Sequence, residues 1–517
     1  MSTELKAPGR TGGATALGSR RLRPTPYLVG GCLFWLVVSL AHGRLPMCCD
    51  VGQHAAVVER LTDDLWRPRH PVVDLPGDGS PYFTPYAVAQ ALVAKGTGLA
   101  GWAVVKLSGP VNLLVLLTGL GRLTRAVAGP ETRRWAPVVA LGTVTLLWGT
   151  ERLWWSGFFG LMSMTGNLSY PSTFAAGLTF WAWAWTAALV RSPARGPWAH
   201  AGLGALLGLI VLVHPITAVA AALGVVAFAV PPYGRRWVER RAWGRGGFAR
   251  PWALLVLVAC AVAAAWPYFS VFSLLGDAGP DAIHALLYED VRARFWLVAL
   301  GLPALWARWR RDPRDPLVVL FGLALVVVAY GWFSGHFTYG RLWAAAVLAP
   351  QLALAVELAA PRPWSGRRRA LGAATAAGAL AGFLTVHAGA VVPGALDPVG
   401  FPQPPRWPSY GWVAARVERG AVVLTDGYRP TRSLPGYGVN VVAPAWPDPA
   451  LDERERSRRR STVHTYLAPT SSPARREAIA RRYRVRWLLL APEQRVPPEA
   501  VVVDWNPRTG EVLARVR

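Results

Sequence analysis

"LVVLFGLALVVVAYGWFSGHFTYGRLWAAAVLAPQLALAVELAA" runs from residue 317 to residue 360. Two apolar runs, 317–333 and 342–360, enclose a short polar segment holding His336, Tyr339 and Arg341. Each run approaches the ~20 apolar residues that a helix needs to cross a lipid core. Working outward, further apolar stretches lie at 26–45, 99–120, 136–150, 172–190, 200–213, 215–231, 251–275, 293–307 and 370–392, giving eleven candidates in all. Stretch 136–150 is short. The pair 200–213/215–231 reads equally as two spans or as one broken span with a re-entrant piece. The first stretch resembles a signal peptide, but its length and the many later spans favour a retained anchor.

Composition agrees. Of 517 residues, 53% are hydrophobic and only 16% charged, against about 25% charged in ordinary soluble domains; mean hydropathy is +0.28. The formal charge of +26 would suggest nucleic acid on a soluble chain. Here long apolar runs separate the charges, so no nucleic-acid partner is expected, and membrane lipids account for the basic excess. Four cysteines, with Cys48 beside Cys49, provide neither a disulfide framework nor a spaced metal site. A disulfide scaffold, a disordered chain and a soluble enzyme are thereby set aside.

Charge fixes the orientation. Arginines crowd the N-terminal tail, the 122–134 loop, Arg191 and Arg195, the 235–250 loop, 308–314 and 362–369. These segments fall on one side if every stretch crosses, and that side is cytoplasmic by the positive-inside rule. The alternate loops carry acids: Asp50, Glu59, Asp63, Asp64, Asp74 and Asp78 in one, Asp277, Asp281, Glu289 and Asp290 in another. The expected fold class is an all-α multi-pass membrane protein of about eleven transmembrane helices, N-in/C-out, with a small C-terminal extracytoplasmic α/β domain. Residues 1–25 form the cytoplasmic basic tail, 26–392 the membrane module with outer loop 46–98, and 393–517 the outer domain. That last part opens on a Pro-rich linker, has strand-like runs at 421–425, 439–443, 485–490 and 501–504, and a helical run at 473–483.

The chemistry-bearing groups collect on the outer face. In "CCDVGQHAAVVERLTDDLW" (48–66), Asp50 and His54 lie one helical turn apart, so they share a face. Val57, Val58 and Leu61 give an apolar stripe and Glu59, Arg60, Asp63 and Asp64 a polar one, the pattern of an interfacial helix; a second runs from 85 to 95. A carboxylate at this depth serves as base or metal ligand, or else as an N-cap. His70 sits in a Gly/Pro/Asp-rich loop and reads as a solvated residue or a substrate contact. Arg152 lies in "ERLWWSGFFGLMSMTGNLSYP" (151–171), whose Trp154, Trp155, Phe158 and Phe159 fit an aromatic belt or a sugar-binding face. His214 occupies an apolar hairpin end, as a cap or facing a cavity. Arg341, with His336 and Tyr339 near it, suits a phosphate; its alternative is snorkelling. Lys106 falls within the second stretch. No P-loop, GxSxG elbow or HExxH helix occurs, which removes the usual signatures of ATP-driven transport and zinc proteolysis.

In order of parts and in local sequence the chain resembles the GT-C superfamily of membrane glycosyltransferases that use polyprenyl-phosphate sugars. The likeness rests on a first span followed by an outer loop with the early acid Asp50 and with His54, on the many spans, and on the tail "AVVLTDGYRPTRSLPGYGVNVVAPAWPDP". There a strand ending in Asp426 precedes a Leu-Pro-x-x-Gly turn (Leu434, Pro435, Gly438), and an "RYRVRWLLL" strand follows. A paired acidic motif at the first loop is missing: Asp50 is flanked by Cys49 and Val51. The resemblance implies an envelope glycosyltransferase in a bacterial plasma membrane, with its active face outside. It would transfer a hexose or pentose from a polyprenyl-phosphate donor to a glycan or lipid-linked acceptor in cell-wall biosynthesis. Asp50 would be the base, or would help hold a divalent metal (Mg or Mn), and His54 would support it. Arg341, His336 and Tyr339 would meet the donor phosphate, with Arg152, His214 and His70 as further substrate contacts. The alternative is a transporter or flippase for a lipid-linked or anionic substrate, which would line a polar path with Lys106.

Overall fold

A computed structural model describes residues 24–46, 48–76, 79–192, 196–239, 249–274, 279, 281–448 and 450–517. The basic tail up to Arg23, together with Asp78, Arg195, Arg240, Arg241, Arg245 and Asp277, lies outside the described residues. Among the described residues, six helices are long and apolar enough to cross a membrane: Pro26–Arg44 (α1), Gly101–Val127, Pro171–Arg191, Pro316–Ser334, Phe337–Leu358 and Gly366–Val391. Shorter apolar helices cover Ala136–Leu146, Pro197–Val213, Pro215–Ala229 and Arg250–Ala264. The chain is a multi-pass membrane protein.

Local sequence sets the helix ends. Thr25 and Thr84 cap α1 and the outer-loop helix Pro85–Thr97 through their hydroxyls, which accept from Leu28 N and Ala87 N, and a proline follows each cap. On α1, Leu28, Leu33, Leu36 and Leu40 are exposed, the row that lipid would cover. Gly101–Val127 meets Pro171–Arg191 through glycines: a Cβ on Gly119 would stand 2.6 Å from the Gly177 carbonyl oxygen, and one on Gly177 2.8 Å from Leu116 N. This close approach replaces the hydrophobic effect that lipid-embedded helices lack.

Two expectations change in detail. The 293–307 stretch is not one regular helix but Val291–Phe295, a 3-10 turn Trp296–Gly301 and Leu302–Arg311. Its backbone turns aside to the segment before it: Thr150 N donates to Ala293 O at 2.9 Å and Leu297 N to Trp148 O at 3.0 Å. The 151–159 aromatics do not form a belt; Phe158 and Phe159 are buried in the core beside Trp148 and Phe180.

The C-terminal part carries a mixed sheet of β1 (Val422–Leu424), β2 (Asn440–Val441), β3 (Val485–Leu490), β4 (Ala500–Trp505) and β5 (Val512–Val516), ordered β2-β1-β3-β5-β4. β1 runs parallel to β2 and β3, and β5 antiparallel to β3 and β4. Helices Glu453–Leu467 and Pro473–Tyr483 cover one face. The other face is filled partly from the first outer loop. Val72 and Val73 are buried among Tyr410, Val413, Val423 and Leu434, and Val72 O accepts from Val441 N at 2.9 Å. The C-terminal sheet is therefore knitted to the loop that carries Asp50.

Candidate active site

Asp50 stands at the N-cap position of the outer-loop helix Val51–Asp63 (α2), yet its carboxylate caps nothing. The helix start is held from elsewhere: Tyr170 Oη accepts from Asp50 N at 3.0 Å and donates to Cys48 O at 3.3 Å. That frees the carboxylate to turn toward the soluble domain, where Oδ1 receives the Trp446 indole N–H and lies 3.4 Å from Arg432 Nη1. Arg432 is itself sandwiched, its Cζ 3.7 Å from the Trp446 ring centre and 4.0 Å from that of Tyr428. The N-cap alternative is thus not realised.

Backbone closeness makes this possible. A Cβ on Gly52 would lie 2.1 Å from Arg432 O, and one on Gly436 2.8 Å from Gly52 O. The Leu-Pro-x-x-Gly turn accordingly rests directly on α2. Glu59 and Arg60, read from sequence as part of the polar stripe of an interfacial helix, are buried against the same C-terminal part. Glu59 pairs with Arg419 and accepts from Gly101 N, while Arg60 donates to Asn440 Oδ1 at 2.6 Å.

His54 follows one turn on, with Tyr82 and Tyr170 edge-on at 5.8 and 5.4 Å. Burial alone depresses its imidazole to about 4, so it is neutral at physiological pH. Burial pushes the Asp50 carboxyl up, while the cations of Arg432 and Arg341 and the Trp446 hydrogen bond pull it back. Its side chain keeps 36% of its surface open, so the shifted carboxyl is still reachable. Such a carboxylate is a stronger base than an ordinary surface aspartate.

Arg341 is near enough for its charge to act on Asp50 and is itself firmly held. Nη1 donates to Ser156 O at 2.5 Å and Oγ at 3.1 Å, Nε donates to His284 Nε2 at 3.2 Å, and the Trp155 ring lies 5.0 Å from Cζ. His284 is positioned in turn by Thr338 Oγ1 at 2.9 Å. Behind Arg341 opens a cavity of about 480 Å³ lined by Ser156, His214, Thr217, Phe159, Phe180 and Trp183 among others. His214 both lines this cavity and caps the helix beginning at Pro215, its Nδ1 accepting from Thr217 N at 3.2 Å.

The remaining expected residues fall elsewhere. His336 pairs with Asp281 at 3.2 Å and Tyr339 packs edge-on to Tyr330 at 5.6 Å. Arg152 is exposed and donates to Gln403 O at 3.2 Å. His70 is not solvated but 4% exposed: Nδ1 accepts from Val72 N and Val73 N, and Nε2 faces Asp448 at 3.6 Å. Lys106 donates to Leu45 O. Sequence reading missed Arg432, Trp446 and Tyr428. They lie within the tail stretch that carries the resemblance, but only the turn beside them was legible. No group of three or more His, Cys, Asp or Glu side chains able to hold a metal occurs among the described residues. The donor set around Asp50, an arginine and an indole N–H, does not fit a divalent cation.

The fold matches solved structures. Arabinofuranosyltransferase AftD from Mycobacteria superposes with a TM-score of 0.57 at 13% identity, covering 95% of this chain and 40% of that one. The chain has a GT-C fold. A mutant of AftD gives 0.54 at 16% identity, covering 93% of this chain and 39% of that one. The oligosaccharyltransferase of Archaeoglobus fulgidus in its apo form gives 0.49 at 13% identity, covering 90% and 70%. No protein-family model and no curated protein sequence matches. The GT-C fold here thus spans well under half the length of AftD, and the chain shares that enzyme's architecture at low identity.

Proposed function

We propose that this GT-C protein is an integral-membrane glycosyltransferase that moves a sugar, hexose or pentose, from a polyprenyl-phosphate donor to a glycan or lipid-linked acceptor. The observation that carries the reading is the placement of Asp50: a burial-raised carboxylate, freed from capping, with Arg341 close enough for its charge to act on it. In the step, the acceptor hydroxyl gives its proton to Asp50 as its oxygen forms a bond to the anomeric carbon. The bond from that carbon to the phosphate oxygen breaks, and the electron pair leaves with the phosphate. Arg341 meets the added charge, and the cavity behind it receives the first part of the lipid. His54 serves as a neutral wall.

The eleven apolar stretches, N-in and C-out, support an active face outside a bacterial plasma membrane, where nucleotide sugars are absent and a lipid-borne donor is needed. Cell-envelope assembly is the corresponding setting. Residues 1–25, 26–392 and 393–517 serve as tail, membrane module and outer domain, the last completing the cleft through Arg432 and Trp446.

The test is sugar transfer from a panel of polyprenyl-phosphate sugars by wild type and Asp50→Asn in nanodiscs. Asn keeps the shape, so melting should be unchanged while turnover falls by about 10²–10⁴-fold, the usual worth of a general base. Full activity in the variant rejects the assignment.

A further inference from the structure

A second concavity opens on the outer face, apart from the Asp50 cleft. It is a groove enclosing about 1190 Å³, mouth included, between the first outer loop and the segment after helix Ala249–Ala264. Trp66, Arg67 and Arg69 stand on one wall, Pro267 and Tyr268 on the other, and Phe83 at its floor. Trp66 is 87% exposed, an unusual cost for the largest apolar side chain. The backbone that carries it is anchored, because Asp64 Oδ1 accepts from Trp66 N at 2.9 Å and Arg67 N at 3.0 Å. Opposite, Tyr268 Oη donates to Leu65 O at 2.5 Å, and the Trp266 indole donates to Phe83 O at 2.8 Å. Gly79, at φ +83°, lets the loop close on this wall, since a Cβ there would lie 2.1 Å from Tyr268 O.

Rigid walls, displayed aromatic faces and a rim of mixed charge describe one chemistry. Sugar rings offer C–H faces that lie on aromatic rings, and hydroxyls that accept from guanidinium and donate to carboxylate. The rim supplies both partners: Arg67, and Arg69 with Asp74 at 2.5 Å. A bilayer surface is met differently, by convex rows such as the α1 leucines. One link runs from the groove toward the Asp50 site: Phe83 in its lining follows Tyr82, whose ring is edge-on to His54.

We propose that this groove is a glycan-binding subsite that holds acceptor sugar rings beyond the one that reacts, with Trp66 as its stacking platform. The proposal rests on the glycosyltransferase reading for the word acceptor, but its test does not depend on turnover. Purified full-length protein in nanodiscs is applied to an array of bacterial-envelope oligosaccharides, alongside Trp66→Ala, Trp66→Phe and Asp50→Asn. The expected result is binding by wild type and Asp50→Asn, a loss of about tenfold in Trp66→Ala, the worth of one aromatic anchor, and partial retention in Trp66→Phe. No glycan bound by wild type, or equal binding by Trp66→Ala of unchanged melting temperature, overturns the subsite. If instead Trp66→Ala loses association with anionic-lipid vesicles while glycan binding stays, the ring is a membrane anchor and the proposal falls. Failure of transfer with glycan binding intact rejects only the enzyme reading.

Discussion

Arg432 and Asp50 stand 382 positions apart in the chain, and Nη1 of one lies 3.4 Å from Oδ1 of the other. The guanidinium is 5% exposed and stacked between two aromatic rings, so it arrives prepaid in orientation and stays planar against them. The tie between loop and soluble domain is therefore directional.

Replacing Arg432 by Ala removes both stacks and the carboxylate partner. The expected cost is about 2 kcal/mol of stability, read as a lower melting temperature and faster proteolysis near the tail domain. Lys should restore little, since an ammonium cannot stack as a plane. The cation also lowers the Asp50 carboxyl, so its loss should move the acidic limb of the rate profile to higher pH. An unmoved limb would separate Arg432 from Asp50 in function.

Gly52→Ala places a methyl 2.1 Å from Arg432 O and 2.8 Å from Ser433 Cα. Backbone atoms cannot yield as a side-chain tip can, so the turn must lift from α2 at a cost of about 1–3 kcal/mol. Activity should fall with stability, as measured by melting and transfer on one preparation. Gly96→Ala, with nothing within 4 Å, is the matched control and should be silent.

Acid should loosen the outer loop. Burial holds His54 and His70 at about 4 against the ordinary 6.5. A depressed folded value means that the stabilisation is complete above pH 6.5 and is lost as pH falls toward 4. For His70 this is on the order of 3 kcal/mol at most. Asp448, raised by burial, works in the opposite sense by regaining stability as it protonates. Melting temperatures from pH 8 to pH 4 should fall in wild type and fall less in His54→Gln; the His70 share is read in an Asp448→Asn background.

Arg341→Ala should raise the KM for the polyprenyl-phosphate donor by about 10–100-fold, the worth of a charge-assisted contact, with kcat falling less. Donor titration at saturating acceptor checks this. Equal donor dependence in variant and wild type would return Arg341 to a structural role on Ser156 and His284.

The fold was legible because membrane spanning is a demand on composition, which long apolar runs and arginine-rich loops announce. Asp50 was legible from its place after the first span, and Arg341 from its place at a span mouth. Arg432 and Trp446 were not. Their meaning depends on a contact across the whole chain, and locally they look like turn residues in a basic tail. His336 and Tyr339 were legible only as neighbours of Arg341 in sequence; that His336 reaches Asp281, whose other oxygen accepts from Thr338 N, depends on a segment more than fifty positions away. His70 looked solvated because a loop of Gly, Pro and Asp gives no sign that another domain will cover it. The strands at 422–424, 440–441, 485–490 and 500–505 were visible as β-branched runs, whereas Val512–Val516 was too short and too interrupted by arginine to stand out.

The burial of Val72 and Val73 inside the tail domain has a bearing on biogenesis. The loop that holds Asp50 leaves the ribosome well ahead of the strands that enclose its valines. Until those strands are made and folded, the two valines have no core to enter and Asp50 has neither Arg432 nor Trp446 beside it. The loop must therefore wait, inserted but unfinished, for a distant part of the chain that membrane insertion alone does not supply.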